Sequence, residues 1–334
     1  MLSILEFLQK RFLVLLPVFV FLGIVLGYFH DLNFLKILIF PLTFMMIFPP
    51  LISIDTKKFL SHEDLFLQIV AIFINLVFMP FFFYNLGIVF FRNDPILAGF
   101  LLIGLIPTTG MTLSWTALSK GDVDSSIKLI VINLFLSALT APFYLSFFME
   151  KVFFIPIKNI FYPIFIIIIF SIIFGLIIQK ILIYRYGINK FEEEIKQRIP
   201  ILSIIGVLGI AFVTISSGSP YLINHPLKVL YSSIPIILFY LIGYPAVTIL
   251  GLILFEEKKA VSLLYGTVMR NFPLAIAISF IIFDEPNTNI PLLLSFSYIF
   301  QIESSGLYVA LSKYIFTQDL FPSNDQNLTE EGTL

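Results

Sequence analysis

The chain has 334 residues, 59% of them hydrophobic and 12% charged, with a net charge of −1 and no cysteine. A soluble domain carries roughly 25% charged residues, and here apolar runs repeatedly exceed ~18 residues, so the composition excludes a soluble protein and points to an integral membrane protein. The balanced charge gives no global attraction to nucleic acid, and the lack of cysteine excludes disulfides, thiolate metal sites and cysteine nucleophiles.

At the N-terminus, Lys10 and Arg11 precede an apolar run in the manner of a signal peptide. The run is long, however, and His30-Asp31 follows it where a small-x-small cleavage pattern would stand, so it is expected to be a first span. With a rise of about 1.5 Å per residue and a hydrocarbon core of about 30 Å, ten spanning helices are expected. They cover 12–29, 34–54, 65–91, 95–119, 125–149, 155–184, 200–221, 228–255, 259–283 and 290–317. Fourteen of the twenty Lys and Arg then fall on one side of the membrane and five on the other. The basic side faces the cytoplasm, which places both termini inside the plasma membrane.

The fourth and ninth spans are interrupted by polar and helix-breaking residues. Pro107, Thr108, Thr109 and Gly110 stand in a row in span 4, and Gly266-Thr-Val-Met-Arg-Asn-Phe-Pro273 does the same in span 9. Proline removes a backbone donor and glycine relaxes the chain, so both helices are expected to be broken at bilayer depth. Unwound backbone is tolerated there only where it is buried in protein or lines a watery cavity. Met79-Pro80 followed by Gly87 is echoed by Tyr244-Pro245 followed by Gly251, which suggests a duplication. Five spans per repeat is an odd number, so the second repeat enters from the opposite side. The expected fold is an all-α integral membrane protein of ten transmembrane helices, arranged as two inverted five-helix repeats with broken, crossing helices 4 and 9. The repeats cover residues 1–150 and 151–318, and a polar cytoplasmic tail covers 319–334.

Only Arg270 and Glu303 are charged near mid-span. A charge at the bilayer centre costs roughly 2.5–3.5 kcal/mol on insertion scales, so the two are expected to pair across spans 9 and 10. Two readings of the pair stand together: a structural ion pair, and a part in binding substrate or a proton. Asn75, Asn133 and Gln301 are also mid-span, and interhelical hydrogen bonding accounts for Asn75. Asn133 and Gln301 follow the two interruptions, where lining a site is an equal reading. Trp115 is either packing or a cavity wall. The stretch Glu193-Glu194-x-x-x-Arg198 matches an intramembrane protease pattern literally, but it lies in a loop before Pro200. The three histidines, His30, His62 and His225, are dispersed in loops, and no metal set or nucleophile triad can be assembled.

From Trp115-Thr-Ala-Leu-Ser-Lys-Gly-Asp122 to Asn133, the sequence resembles the bile acid:sodium symporter superfamily, nearest its arsenite efflux permease branch. Asn271-Phe-Pro-Leu-Ala-Ile-Ala277 is similar to that branch's ninth-helix segment. The resemblance implies ten helices in two repeats, whose crossed breaks form the substrate and ion site. It also marks departures. The branch's cysteine before the tryptophan corresponds to Thr108, and its ninth-helix glutamate to Pro273. In the sodium-coupled branch, a glutamate and a glutamine that hold sodium correspond to Gly266 and Arg270. A serine-asparagine pair there becomes Thr112 and Leu113, one hydroxyl ligand matches Ser126, and another becomes Ile130. A fixed guanidinium would thus occupy the place of a bound cation.

The expected function is a secondary transporter moving a small anion or oxyacid by alternating access, without cofactor or enzymatic activity. Pro107, Thr108, Thr109, Gly110, Thr112, Asn133, Arg270 and Asn271 are expected to line the site, with Glu303 and Ser126 in ion or proton coupling. The alternative is a sodium-coupled organic-anion symporter for a bile-acid-like solute or a carboxylate, and the remaining rivals are a non-transport membrane protein and an intramembrane enzyme. The expected partners are a small anionic solute and the lipid bilayer, not nucleic acid.

Overall fold

In an apolar layer without water, every backbone donor and acceptor must be satisfied within the chain, and a sequence this rich in Leu, Ile and Phe meets that demand with helices. The computed structural model describes residues 11–53, 64–92, 94–107, 111–149, 157–283 and 290–316, and their regular elements are helical apart from one isolated bridge. In chain order these are α1 (Phe12–Phe29), α2 (Ile39–Ile52, led in by a 3-10 turn at Asn33–Leu38), and α3 (Leu65–Phe91). Then come α4 (Ile96–Leu105), α5 (Met111–Leu118), α6 (Val123–Met149), α7 (Ile157–Tyr186) and α8 (Ser203–Asn224). The last are α9 (Pro226–Leu254), α10 (Glu257–Val268), α11 (Phe272–Ile282) and α12 (Ile290–Ile315).

Each expected span is met by a helix or by two half-helices. Among the described residues, six stretches are long and apolar enough to cross a membrane: Asn33–Ile52, Leu65–Phe91, Val123–Phe148, Phe165–Tyr186, Ser203–Asn224 and Pro226–Leu254. The fourth and ninth spans are broken as expected, into α4 and α5 and into α10 and α11. At about 1.5 Å per residue, none of these four half-helices exceeds about 18 Å, too short to cross alone. They are accordingly enclosed by protein: all ten residues of α4 are buried, as are Ala260 to Val268 in α10.

Two sets of helices share this core. α8 packs along α1 and α2, and α7 packs on α2. Small residues allow the close approach, as in many membrane bundles. A Cβ on Gly27 would fall 2.1 Å from the Ser216 carbonyl oxygen, and one on Gly206 would fall 2.5 Å from that of Leu42. The other set gathers α3 on α4, α9 on α10 and α12, and α11 on α12, with α6 against α4, α5 and α10. α11 also reaches α2, α7 and α8, so the second broken helix stands where the two sets meet.

The Trp115–Asp122 stretch is a compact turn between α5 and α6. Lys120 adopts left-handed angles (φ 58°), and the Gly121 amide returns to the Thr116 carbonyl at 2.8 Å, closing the helix end. Gly121 has no room for a side chain, because a Cβ would lie 2.5 Å from Val261 Cγ1. Asp122 then starts α6, accepting from the Ser125 amide at 3.1 Å, while its own amide donates to Lys258 O at 3.0 Å. Lys57, Lys58, His62, Thr108, Thr109, Gly110 and the tail after Gln318 lie outside the described residues.

Candidate functional site

Where a helix ends, its last carbonyls lack partners and carry the negative end of the helix dipole, about half a charge. α4 and α10 both end in mid-structure, and their broken ends meet. Pro107 and Arg270 form an antiparallel bridge, and the Asn271 amide donates to Ile106 O at 3.2 Å. The expected crossing of the two interruptions is therefore present.

Arg270 closes this crossing. Its Nε donates to Ile103 O at 3.0 Å, Nη2 to Gly104 O, and Nη1 to Asn75 Oδ1 at 2.7 Å and Thr267 O at 3.2 Å. Four of the five guanidinium donors are thus used, three of them on carbonyls in the last turns of α4 and α10. The side chain is fully buried, and no carboxylate lies in salt-bridge range of it among the described residues. Its charge is balanced by converging helix ends instead.

The backbone of Arg270 is held as firmly. Gln301 on α12 accepts from its amide at 2.9 Å and donates to its carbonyl at 2.9 Å, mimicking a neighbouring strand. Tyr240 on α9 donates its hydroxyl to the same Gln301 oxygen. Asn75 donates from Nδ2 to Gly266 O at 3.0 Å while accepting from Arg270, so one amide ties α3 to the end of α10 and to Arg270 just beyond it. It sits in a π-helical turn of α3, Ile74–Phe78, and such widened turns often mark functional positions.

The expected Arg270–Glu303 pair does not form. Gln301 faces the crossing and is fully buried, whereas Glu303, two residues on and therefore about 200° around the helix, points outward and is exposed. Arg270 needs no carboxylate because four oxygens already surround it.

The positive ends of the other two half-helices, α5 and α11, complete the crossing. Asn271 caps α11, its Oδ1 accepting from the Leu274 amide at 3.2 Å, and Pro273 fits the first turn, where no donor is needed. Thr112 donates to Tyr265 O at 3.3 Å, and Thr116 and Ser126 share a hydrogen bond of 3.1 Å between α5 and α6. Ser126, Asn133 and Ser137 lie on one face of α6. Thr116 meets Ser126 across α5 and α6, and Asn133 lies about two turns further along the same face of α6. Asn133 Nδ2 donates to Leu129 O at 2.8 Å, but its Oδ1, Ser137 Oγ and Trp115 Nε1 are buried without hydrogen-bond partners. Unsatisfied buried polar atoms are rare and call for a reason.

Sequence reasoning gathered Pro107, Thr112, Asn133, Arg270, Asn271 and Ser126 into one site; the structure joins Pro107, Arg270 and Asn271 at the crossing, ties Thr112 to α10 and Ser126 to α5, keeps Asn133 on α6, and turns Glu303 away from Arg270. It read Asn75 as an ordinary interhelical bond and passed over Tyr240 and Ser137. The available signal for Asn75 was its place four residues before Met79-Pro80, opposite a buried arginine with no acid on its side.

Near the starts of α3, α6 and α10, a second polar cluster ties these helices together. Asp64 lies 2.8 Å from Lys259 Nζ and 3.9 Å from Lys128 Nζ, and accepts from Ser125 Oγ at 2.9 Å. Burial alone would raise its carboxyl pKa, yet the Lys259 and Ser125 hydrogen bonds and the two lysine charges outweigh it and hold the pKa below the usual carboxylate value.

The family model described as the sodium bile acid symporter family matches residues 40–225, more than half of the chain. The chain belongs to that family. The matched stretch includes the first interruption, Trp115 to Asp122 and Asn133, and stops before Arg270. Among curated proteins, the chain is similar to the arsenical-resistance protein Acr3 of Alkaliphilus metalliredigens, at 24% identity over 210 residues and 58% of each chain. It is similar too to the uncharacterized protein YbaS of Bacillus subtilis, at 22% identity over 206 residues, 61% of this chain and 66% of the relative. In both cases the chain covers less than two thirds of the relative's length. As a member of the sodium bile acid symporter family with six long apolar helices, it is a multi-pass membrane protein.

Proposed function

We propose that this protein is a secondary transporter that carries a small anion or oxyacid by alternating access, without sodium. The reading takes the chain as ten spans in two inverted repeats, 1–150 and 151–318, with both termini cytoplasmic in the plasma membrane. The observation that carries it is the crossing of two broken helices at Pro107 and Arg270, with the negative helix ends satisfied and polar atoms left over beside the positive ones. Helix N-termini favour anions, and Trp115 Nε1 on α5 and Ser137 Oγ on α6 are further donors without partners. Asn133 and Ser137, with Thr112 behind them, would face the solute. Arg270 would hold the crossing and fill the seat of a coupling cation rather than touch the solute. The arsenical-resistance relative suggests an uncharged or weakly acidic oxyacid as one solute class.

The test is counterflow and gradient-driven uptake into proteoliposomes, with arsenite, small carboxylates and a bile acid offered separately. Each would be run with a sodium gradient, a proton gradient and neither. Saturable uptake of at least one solute, unchanged when potassium replaces sodium, is the expected result. Uptake that requires sodium would overturn the assignment of the cation seat to Arg270. No uptake of any solute class under any gradient would overturn the transporter reading itself.

A further inference from the structure

On the ten-span reading proposed above, α12 crosses the membrane and Glu303 faces lipid near its middle, where a carboxylate has no favourable partner in the acyl layer, so its position calls for an explanation. Glu303 lies 13 residues from the start of α12 and 12 from its end, about 20 Å and 18 Å along the axis. It is exposed, and its carboxylate has no hydrogen-bond or ion-pair partner among the described residues. It opens into a cavity of about 380 Å³ between α9 and α12, walled by Tyr240, Tyr244, Phe300, Leu307 and Tyr308. Three tyrosine rings form one continuous wall: Tyr244 stacks on Tyr308 with centroids 4.6 Å apart at 15°, and Tyr240 follows Tyr244 at 5.6 Å.

A carboxylate beside an apolar, ring-lined groove is the chemistry that takes up a lipophilic organic cation, since the anion attracts its charge and the rings bury its apolar substituents. We propose that this groove binds a lipophilic organic cation, an aryl- or alkyl-substituted ammonium or phosphonium ion that enters from the acyl layer. The occupant must be soluble in the acyl layer because phospholipid amines lie near the interface, roughly 15 Å away at half the core thickness. It is not a second copy of the chain. Of the twenty Lys and Arg only Arg270 lies at this depth, and it is enclosed, so a two-fold partner would offer Glu303 no cation. Tyr240 and Tyr244 connect the groove to the crossing. One donates to Gln301, which brackets the Arg270 backbone, and the other shares a 2.7 Å hydrogen bond with Ser305. An occupant pressing on Tyr240 therefore acts two hydrogen bonds away from Arg270, through Gln301.

The experiment measures equilibrium binding of radiolabelled tetraphenylphosphonium to the full chain in phosphatidylcholine nanodiscs, with empty discs as background. Saturable binding is expected for the native chain and none for tetraphenylborate, the same shape with the opposite charge. Glu303→Gln should weaken binding at least tenfold, and because Glu303 makes no internal bond this variant should fold. Leu307→Trp, which fills the groove at an exposed position, should abolish binding with an unchanged melting temperature. Equal binding of the borate, or Glu303→Gln binding within twofold of native, overturns the proposal. So does cross-linking of Leu307→Cys between copies in the bilayer, a clean readout in a chain without cysteine. Binding is read without any transported solute, so this proposal and the transport reading stand or fall separately.

Discussion

Replacing Arg270 by methionine removes the guanidinium donors from four buried oxygens, those of Ile103, Gly104, Thr267 and the Asn75 side chain. Interhelical hydrogen bonds in membrane proteins average about 0.6 kcal/mol, which sets a floor of about 2.4 kcal/mol for four of them. Bonds to a charged group are stronger, about 1.5–3 kcal/mol each, but the variant also relieves a buried charge whose desolvation costs several kcal/mol. The expected net loss is therefore about 3 kcal/mol. Arg270→Lys, a point charge unable to reach all four oxygens at once, should fall between the two. The decisive measurement is a double-mutant cycle by reversible unfolding in mixed micelles. Arg270→Met and Asn75→Leu should couple by about 1.5–3 kcal/mol, the range for a charge-assisted bond at 2.7 Å. A coupling below about 0.5 kcal/mol, or an Arg270→Met protein as stable as native, would refute the view that this guanidinium holds the crossing.

The same cage yields a gain-of-binding arm. Arg270→Ala leaves oxygens of the kind that hold a metal cation and removes the resident charge. For a vacated site of about 10 mM affinity, roughly 100 mM sodium would add about 1.4 kcal/mol of stability, whereas the native protein should gain nothing beyond ionic strength. A native protein that is stabilised saturably by sodium would show that the cation seat lies elsewhere.

Glu303→Gln should change unfolding free energy by less than about 0.5 kcal/mol, because no partner is lost; a loss of 3 kcal/mol would restore a buried pair. Asp64 has a folded-state pKa below its ordinary 3.8, so its contribution to stability is full above that value and is lost as pH falls through the lowered one. Asp64→Asn, which keeps a residue tolerant of the left-handed angles there (φ 66°), should flatten the fall in stability between pH 5 and 3, roughly the window of such a titration. Single cysteines at Arg92 or Lys228 should react with an impermeant thiol reagent from outside and one at Lys196 only from inside; inside labelling at Lys228 would sink the orientation and the inverted repeat. Asn133→Leu should abolish solute counterflow while leaving stability equal or higher by up to about 1 kcal/mol, since it removes an acceptor that has no donor. Full transport by this variant would exclude Asn133 from the solute path.

Helix positions were legible because the period of the problem is the bilayer itself: α1 begins and ends at the expected Phe12 and Phe29, and both breaks fall where Pro107 and Arg270 interrupt apolar runs. What failed was the partner of Arg270. Sequence reasoning paired the two lone mid-depth charges, because opposite signs attract and nothing in the sequence marks a carbonyl as free. Only the fold shows that two helix ends converge, presenting oxygens that already suffice. The face of α12 was nonetheless readable: Gln301 and Ser305 are one turn apart and both turn to the crossing, which leaves Glu303 on the far side. The role of Asn75 was hidden because its partners lie 191 and 195 residues away in sequence.

The polar groups at the crossing are divided unequally, and that inequality bears on how the protein would be driven. Beside the ends of α4 and α10, each oxygen that Arg270 meets has a donor, and the charge cannot leave because it is covalently part of the chain. Beside the starts of α5 and α11, Asn271 caps one helix, and the partnerless atoms of Trp115, Asn133 and Ser137 lie on the adjoining α5 and α6. A transporter whose cation dissociates can couple a sodium gradient to its solute. On the reading proposed above, one whose cation is tethered has that seat filled in every conformation, and sodium has no state in which to bind preferentially. A ligand shifts a conformational equilibrium only by its differential affinity, so the driving force must come from the solute's own gradient or from a proton carried with it. The proteoliposome experiment separates these: uphill accumulation under a proton gradient supports the second, and strictly downhill exchange supports the first.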